Sequence, residues 1–335
     1  MKFSFTEHTL RPRHAFTISR ESIREKQTFF VELQHDGITA HGEAAPMARF
    51  GETPAKCRAA LNQLIDTMPE SPGDWEAVIR SLEATAPNAP AARAAIDAAI
   101  MDWIGKSSGA PLYELWSIDP ASMPPTSMSI AIDAPERVRE RAREASDFLV
   151  LKLKLGGKED HAMVKAVRDV TDAPIRGDAN EGYRDREAAL REIEWLAEQN
   201  VELVEQPLPA DRIDDMIWLK QRSPLPLIAD EAFMHARDLS KIAEGYNGIN
   251  IKLVKCGGTL AAREAIAAAR SRRLKVMLGC TIESSLGIAA AAHLAPLTDY
   301  VDLDGNLLIS NDPFEGHPVI EGRIKLRGAP GLGIL

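Results

Sequence analysis

The sequence predicts an α/β protein built on a (β/α)8-type barrel, and three observations carry that prediction. Short β-rich runs recur at a nearly constant interval over most of the 335 residues, helix-patterned segments separate them, and charged residues collect at one end of the runs. The runs are residues 127–130, 148–154, 174–178, 201–205, 225–230, 248–252, 274–279 and 300–304. Between them, segments such as 184–199, 211–221 and 259–272 have helical periodicity, the last rich in the helix formers Ala, Arg and Glu. Strands alternating with helices at this spacing imply parallel β-α units, and eight units suffice to close a barrel.

The second run reads Phe-Leu-Val-Leu-Lys-Leu-Lys and places Lys152 and Lys154 two residues apart. In a strand, residues i and i+2 share a face, so both amines project side by side. Two such amines in a partly dry site are expected to disfavour each other's protonation, lowering each pKa toward a base's range. Taken alone, the pair would also suit an exposed edge strand guarded against aggregation. The rest of the chain argues for chemistry.

Asp178, Glu205, Asp230, Lys252, Asp302 and Asp304 all fall at or near the C-terminal end of an apolar run. A parallel barrel assembles its active site at that end. Asp178, Glu205 and Asp230 lie on consecutive strands at intervals of 27 and 25 residues. Neighbouring strand ends are about 5 Å apart, so the three can converge. Their mutual repulsion calls for a cation, and an all-oxygen ligand set favours Mg2+, or Mn2+, over zinc or copper. Lys154 on the second strand and Lys252 on the sixth then flank the metal from opposite sides. A substrate carboxylate held there would present its α-carbon to one lysine on each face. Removal of the α-proton leaves an enediolate, whose charge the cation stabilises. The predicted reaction is a 1,1-proton transfer that inverts a stereocentre.

The ordered motifs Leu-Lys-Leu-Lys, Gly-Asp-Ala-Asn, Val-Glu-Gln-Pro-Leu, Ala-Asp-Glu and Asn-Ile-Lys-Leu-Val-Lys-Cys-Gly-Gly resemble the enolase superfamily, in its muconate-lactonizing subgroup. The resemblance spans nearly the whole chain. Within the subgroup, Asp302-Leu303-Asp304 is similar to the Asp-x-Asp motif of dipeptide epimerases, whose carboxylates hold the substrate's α-ammonium group. Asp302 and Asp304 share a strand face on this reading, which suits a cationic group. Succinylbenzoate synthases, N-acylamino acid racemases and cycloisomerases of the same subgroup are the alternatives, and a barrel that only binds ligands is the alternative of another class. The residue after Ala-Asp-Glu, Ala232, departs from the serine frequent in relatives.

The resemblance implies that Lys154 and Lys252 are the acid/base pair, Lys154 facing the L (S) centre, with Lys152 assisting electrostatically. It implies Asp178, Glu205 and Asp230 as Mg2+ ligands. Lys255 lies beyond the strand end, where a loop role is expected. Glu283, in the loop after the seventh strand, is a candidate to line the site, and Cys280 is read chiefly as a buried thiol. The implied layout is an α+β capping domain at 1–120, the barrel at 121–312 and a C-terminal segment, 313–335, that returns to the cap. Segments near 13–21 and 47–53 would act as lids that exclude water and select substrate. In the first, Arg20 is the candidate to recognise a glutamyl side-chain carboxylate by bidentate pairing, as in epimerases acting on L-Ala-D/L-Glu, with Arg11, Arg13 and His14 near enough to take that part.

Composition excludes several rivals. A net charge of −9 and the lack of a polybasic run argue against a nucleic-acid surface. The first residues lack a signal peptide's apolar core, and no apolar stretch is long enough to span a membrane. Three widely spaced cysteines without a CxxC pattern, and eight histidines without HExxH, give no zinc site. Neither Gly156-Gly157 nor Gly257-Gly258 has the spacing of a nucleotide loop. The expectation is a cytoplasmic enzyme, possible as a homo-oligomer, with a small dipeptide as its partner and neither nucleic acid nor membrane.

Overall fold

The computed structural model describes residues 1–70 and 74–334. Eight parallel strands pair in chain order around a nearly closed barrel: Ser127–Ile130, Val150–Lys154, Ile175–Asp178, Val201–Glu205, Leu227–Ala229, Gly248–Ile251, Lys275–Gly279 and Tyr300–Asp302, numbered here as the first to the eighth barrel strand. Helices such as Arg186–Glu198 and Thr259–Ser271 connect them on the outside. Among the described residues, the seam between the first and eighth strands is short of backbone pairing, with a single bridge from Thr126 to Val301. Hydroxyl groups complete it: Ser127 Oγ donates to Asp302 Oδ1 (2.6 Å) and Leu303 N–H to Thr126 Oγ1 (3.0 Å).

Strand alternation stacks the barrel interior in layers. Leu203, Ile228, Met277 and Tyr300 form an apolar floor. Arg176 lies over the Tyr300 ring at 5.0 Å and donates across the barrel to Val301 O (2.8 Å). Two residues further along each strand, on the same face, come Asp178, Glu205, Asp230, Gly279 and Asp302. The floor is hydrophobic and the layer above it is charged, which positions the site at the strands' C-terminal ends.

Expected strands stop short of the C-terminal ends of their sequence patterns, the sixth at Ile251 before Lys252. The fifth ends at Ala229, leaving Asp230 just beyond it, and the eighth ends at Asp302. Asp304 therefore does not share a strand face with Asp302. It begins a turn in which Leu307 N–H and Leu308 N–H both donate to its carbonyl, so the chain curls out of the ladder.

Before the barrel, strands Lys2–Leu10, Lys26–His35 and Ile38–Ala44 form an antiparallel sheet that packs on the helix Pro90–Ser108. The last residues return to that helix, where Leu332 N–H donates to Asp102 Oδ1 (2.9 Å). Two buried carboxylates of this N-terminal part cap helices of the barrel. Asp97 accepts from Thr259 N–H (2.7 Å), Thr259 Oγ1 (2.7 Å) and Leu260 N–H (3.3 Å) at the start of Thr259–Ser271. Glu43 accepts from Ser284 N–H, Ser284 Oγ and Gly287 N–H at the start of Ser285–Ala292. Such caps satisfy donors that a helix N-terminus otherwise leaves orphaned. Burial nevertheless pushes the Asp97 carboxyl up, to about 6. Replacing Asp97 by Ala strands these donors in a dry interface, and we expect a loss of about 2–4 kcal/mol, read by urea unfolding. A loss below about 0.5 kcal/mol would show that the helix start does not depend on this cap.

Candidate active site

Asp178, Glu205 and Asp230 converge as their spacing requires: one oxygen from each lies within 4.8 Å of the others, and all three residues are buried. Four lysines surround them. Lys152 Nζ lies 2.8 Å from Glu205 Oε2, 3.1 Å from Asp178 Oδ2 and 2.6 Å from Asp302 Oδ2. Lys154 Nζ donates to Asp178 Oδ2 (2.6 Å). On the far side, Lys252 Nζ donates to Asp230 Oδ2 (2.8 Å). Lys252 stands just past the sixth strand, where it begins the short helix Leu253–Cys256. The strands bearing the three carboxylates lie between those that carry Lys154 and Lys252.

The electrostatics correct one sequence expectation. Burial alone would lower the Lys152 amine, but Asp302, Glu205 and Asp178 hold it well above the ordinary lysine range. Lys252 is likewise raised: burial alone would lower it, but Asp230, Glu205 and Glu231 together prevail. Counting only the neighbouring lysine omitted the more numerous carboxylates. Among those, Asp178 is held low, against its burial, by Lys154 and Lys152. Glu205 is pushed up to about 7 by burial and by the Asp178 charge.

The lid segments lie over this cluster. Residues 16–23 form a small hairpin, Phe16–Thr17 with Ser22–Ile23. A cavity of about 70 Å3 beneath it is lined by Lys154, Lys252, Asp302, Asp304, Arg20 and Cys280, among others.

Residues 134–335 match the enolase C-terminal domain-like family, and residues 3–116 match the mandelate racemase / muconate lactonizing enzyme N-terminal domain. The chain belongs to the enolase superfamily. Similar to it is the L-Ala-D/L-Glu epimerase of Bacteroides thetaiotaomicron, 39% identical over 336 residues, covering 100% of this chain and 88% of the relative. An L-Ala-D/L-amino acid epimerase of Pedosphaera parvula is also 39% identical, over 98% of this chain and 97% of its own. Among solved structures, a dipeptide epimerase from Methylococcus capsulatus complexed with Mg and the dipeptide L-Arg-D-Lys has a TM-score of 0.92 at 33% identity, with 100% of both chains covered.

In this enolase-superfamily chain, Asp302 and Asp304 occupy different settings. Asp302 lies deep, both of its oxygens taken by Ser127 Oγ and Lys152 Nζ at 2.6 Å. Asp304 accepts from Ser129 N–H at Oδ2 (2.6 Å), while among the described residues its Oδ1 has the Cys280 thiol, at 3.8 Å, as hydrogen-bond partner. Burial, followed by repulsion from Asp302, pushes Asp304 up to about 6. Of the two, Asp304 has the freer oxygen.

Glu283 does not line the cavity. Its carboxylate folds back onto Thr281 N–H (2.9 Å) and lies beneath the cap near Glu43, where burial, followed by the Glu43 charge, pushes it up to about 7. Thr281 and Ile282 reach the cavity instead, as does Cys280. Arg20 does line it, with Nη1 2.8 Å from Glu231 Oε1 and donating to Asn180 O (3.0 Å). Among the described residues, its Nε and Nη2 make no hydrogen bond.

Lys255 departs from the sequence expectation and belongs to the site. Instead of a loop position it has one in the short helix Leu253–Cys256, where it is buried, with Nζ 2.5 Å from Asp230 Oδ1 and donating to Asp230 O (2.6 Å). The signal was available in its spacing: one helical turn beyond Lys252 returns the amine to the same carboxylate. Asn250 was also missed. It donates to Glu205 Oε1 (2.8 Å) from the strand position two residues before Lys252. Gly279 on the next strand makes room for it, since a Cβ there would meet Asn250 Oδ1 at 2.5 Å.

Proposed function

We propose that this chain is a Mg2+-dependent dipeptide epimerase that inverts the α-carbon of a dipeptide's C-terminal residue, with L-Ala-D/L-Glu as its substrate type. The observation that carries this reading is the placement of Lys154 and Lys252 against opposite ends of one carboxylate cluster, with the freer oxygen of Asp304 in the same cavity. The activities of the relatives support it.

The donor set suits a divalent cation. Asp178, Glu205 and Asp230 offer only oxygen, and the buried Glu205 Oε2 lacks a hydrogen bond of good geometry. Bound by these three, Mg2+ would supply electrostatic stabilisation of the charge that develops on the substrate carboxylate. The chain's own residues do the proton work. For the L epimer, neutral Lys154 accepts the α-proton and becomes an ammonium; Lys252, starting as an ammonium, returns a proton to the opposite face. The reverse direction exchanges these roles, so no proton is consumed overall. Lys152, fixed by three carboxylates, remains charged and supports the anionic end of the substrate. Asp304 accepts a hydrogen bond from the dipeptide's ammonium group. The open Nε/Nη2 edge of Arg20 suits a carboxylate at the end of the C-terminal side chain.

Incubation with Mg2+ and L,L-dipeptides in D2O tests the reading by mass spectrometry. L-Ala-L-Glu is expected to gain one deuterium at the inverted carbon. Absence of incorporation into any dipeptide would sink the proposal. Asp304→Asn should weaken kcat/KM for dipeptides at least about tenfold more than for N-acylated analogues, since a charge-assisted contact contributes about 1.5–3 kcal/mol. Equal losses would remove the ammonium-binding role. A cytoplasmic location completes the proposal, in keeping with three free thiols.

A further inference from the structure

Both lid segments end on one carboxylate. Arg49, in the second lid, forks onto Glu181: Nε to Oε2 at 3.0 Å, and Nη2 to Oε1 and Oε2 at 2.7 Å each. Arg20, in the first, reaches the same Glu181 Oε2 at 3.8 Å and Glu231 at 2.8 Å. Glu181 has little freedom of its own. Its Oε1 accepts from Ala210 N–H (2.9 Å), and its backbone N–H donates to Gln206 O (2.8 Å).

The loop that presents it is built in an unusual backbone conformation. Asn180 and Glu181 both have positive φ, 45° and 66°, which non-glycine residues adopt only when their surroundings fix them. Here Asn180 N–H is held by Asp178 Oδ1 (3.0 Å), one of the proposed metal ligands. The turn aims Asn180 O at the lid, where it accepts from Ser19 Oγ (2.8 Å) and Arg20 Nη1 (3.0 Å). The seat is too close for side chains: a Cβ on Gly182 would meet Ser19 Cβ at 2.9 Å.

We propose that Glu181 is a positioning residue for substrate selection, joining the second lid to the first through one carboxylate and so fixing Arg20 over the cavity. The joining itself stands on the contacts alone; its consequence for selection rests on the epimerase reading. Arg49 and Arg20 share Glu181 as an ion-pair partner, so loss of the Arg49 side chain acts on Arg20 by freeing that carboxylate.

Hydrogen exchange reads this without substrate. The Ile132 amide, in the loop after the first barrel strand, donates to Thr17 O of the first lid (2.9 Å), so its exchange reports the lifting of that lid. Arg49→Gln is expected to speed Ile132 exchange about fivefold or more, the lower end of ordinary coupling between sites. Glu181→Gln should do at least as much, and the double variant no more than Glu181→Gln alone. Unchanged Ile132 exchange in Arg49→Gln, or effects that multiply in the double variant, would overturn the coupling. The kinetic arm expects Glu181→Gln to raise KM for L-Ala-L-Glu about fivefold, with kcat within about twofold. An unmoved KM alongside faster Ile132 exchange would overturn the role in selection. A wild-type protein that turns over no dipeptide would refute the epimerase reading, and the exchange arm would still decide the coupling.

Discussion

Lys154→Ala should abolish epimerisation, with at least about a 10^3-fold loss of turnover, while still exchanging the α-proton of the D epimer with solvent deuterium. Lys252→Ala should do the reverse and exchange only the L epimer. The asymmetry follows from one base per face: whichever lysine remains can remove and return a proton on its own side, but nothing protonates the other. General acid–base catalysis contributes about 10^2 to 10^4, which sets the expected loss. Neither variant should unfold the barrel. Asp178 keeps Lys152 at 3.1 Å when Lys154 is gone, and Asp230 keeps Lys255 at 2.5 Å when Lys252 is gone. Measuring deuterium separately in each epimer by NMR decides the matter. Variants that racemise both epimers at the wild-type rate would mean that the two-lysine mechanism is wrong.

Chelation is the second large effect. EDTA should reduce activity at least about 10^3-fold, and Mg2+ or Mn2+ should restore it, because without a dication only the Lys152 ammonium, already shared among three carboxylates, is left to offset the charge forming on the substrate carboxylate. The same ion should stabilise the fold, since Asp178, Glu205 and Asp230 come within 4.8 Å of one another only in the native state. At a concentration 100 times its Kd, the gain is about 2.7 kcal/mol, visible as a rise in Tm. Glu205→Gln should lose most of both responses. Full activity in EDTA, with a Tm indifferent to Mg2+, would remove the metal from the proposal.

How much of this was legible in the sequence depended on whether the cause was local. The eight strands were legible because each is a short apolar run with a regular spacing, and Asp178, Glu205 and Asp230 because each terminates such a run. Lys255 was misplaced because the sequence shows where a strand stops, but not that the next turn coils back over its end. The lysine protonation was misjudged for a related reason. Lys152 is balanced by Asp302, 150 residues away and brought near only when the barrel closes. Asp304 looks like a strand residue in the sequence because the alternation continues past Asp302, where the pairing ends. Glu283 was expected to be a candidate lining residue, and its burial under the cap follows from contact with Glu43, which no local pattern announces. Arg20 was visible as a cation in the right segment; Glu231, Glu181 and Arg49, which orient it, come from three separate stretches of chain.

The two cap carboxylates have a consequence for anyone who would transplant specificity between such proteins. Glu43 holds the start of the helix Ser285–Ala292, and the loop just before that helix supplies Cys280, Thr281 and Ile282 to the cavity wall. Asp97 does the same for the helix that follows Lys252 and Lys255. The N-terminal part is thus a supporting wall of the catalytic room as well as its ceiling. A chimera that exchanges the whole cap must import Glu43 and Asp97 in register, or it will loosen the floor plan it was meant to leave alone. Exchanging only the stretches 13–21 and 47–51 should change what the room admits and leave its walls standing, because Glu52 then keeps its hold on Ala91 N–H and Ala92 N–H at the start of the helix that carries Asp97.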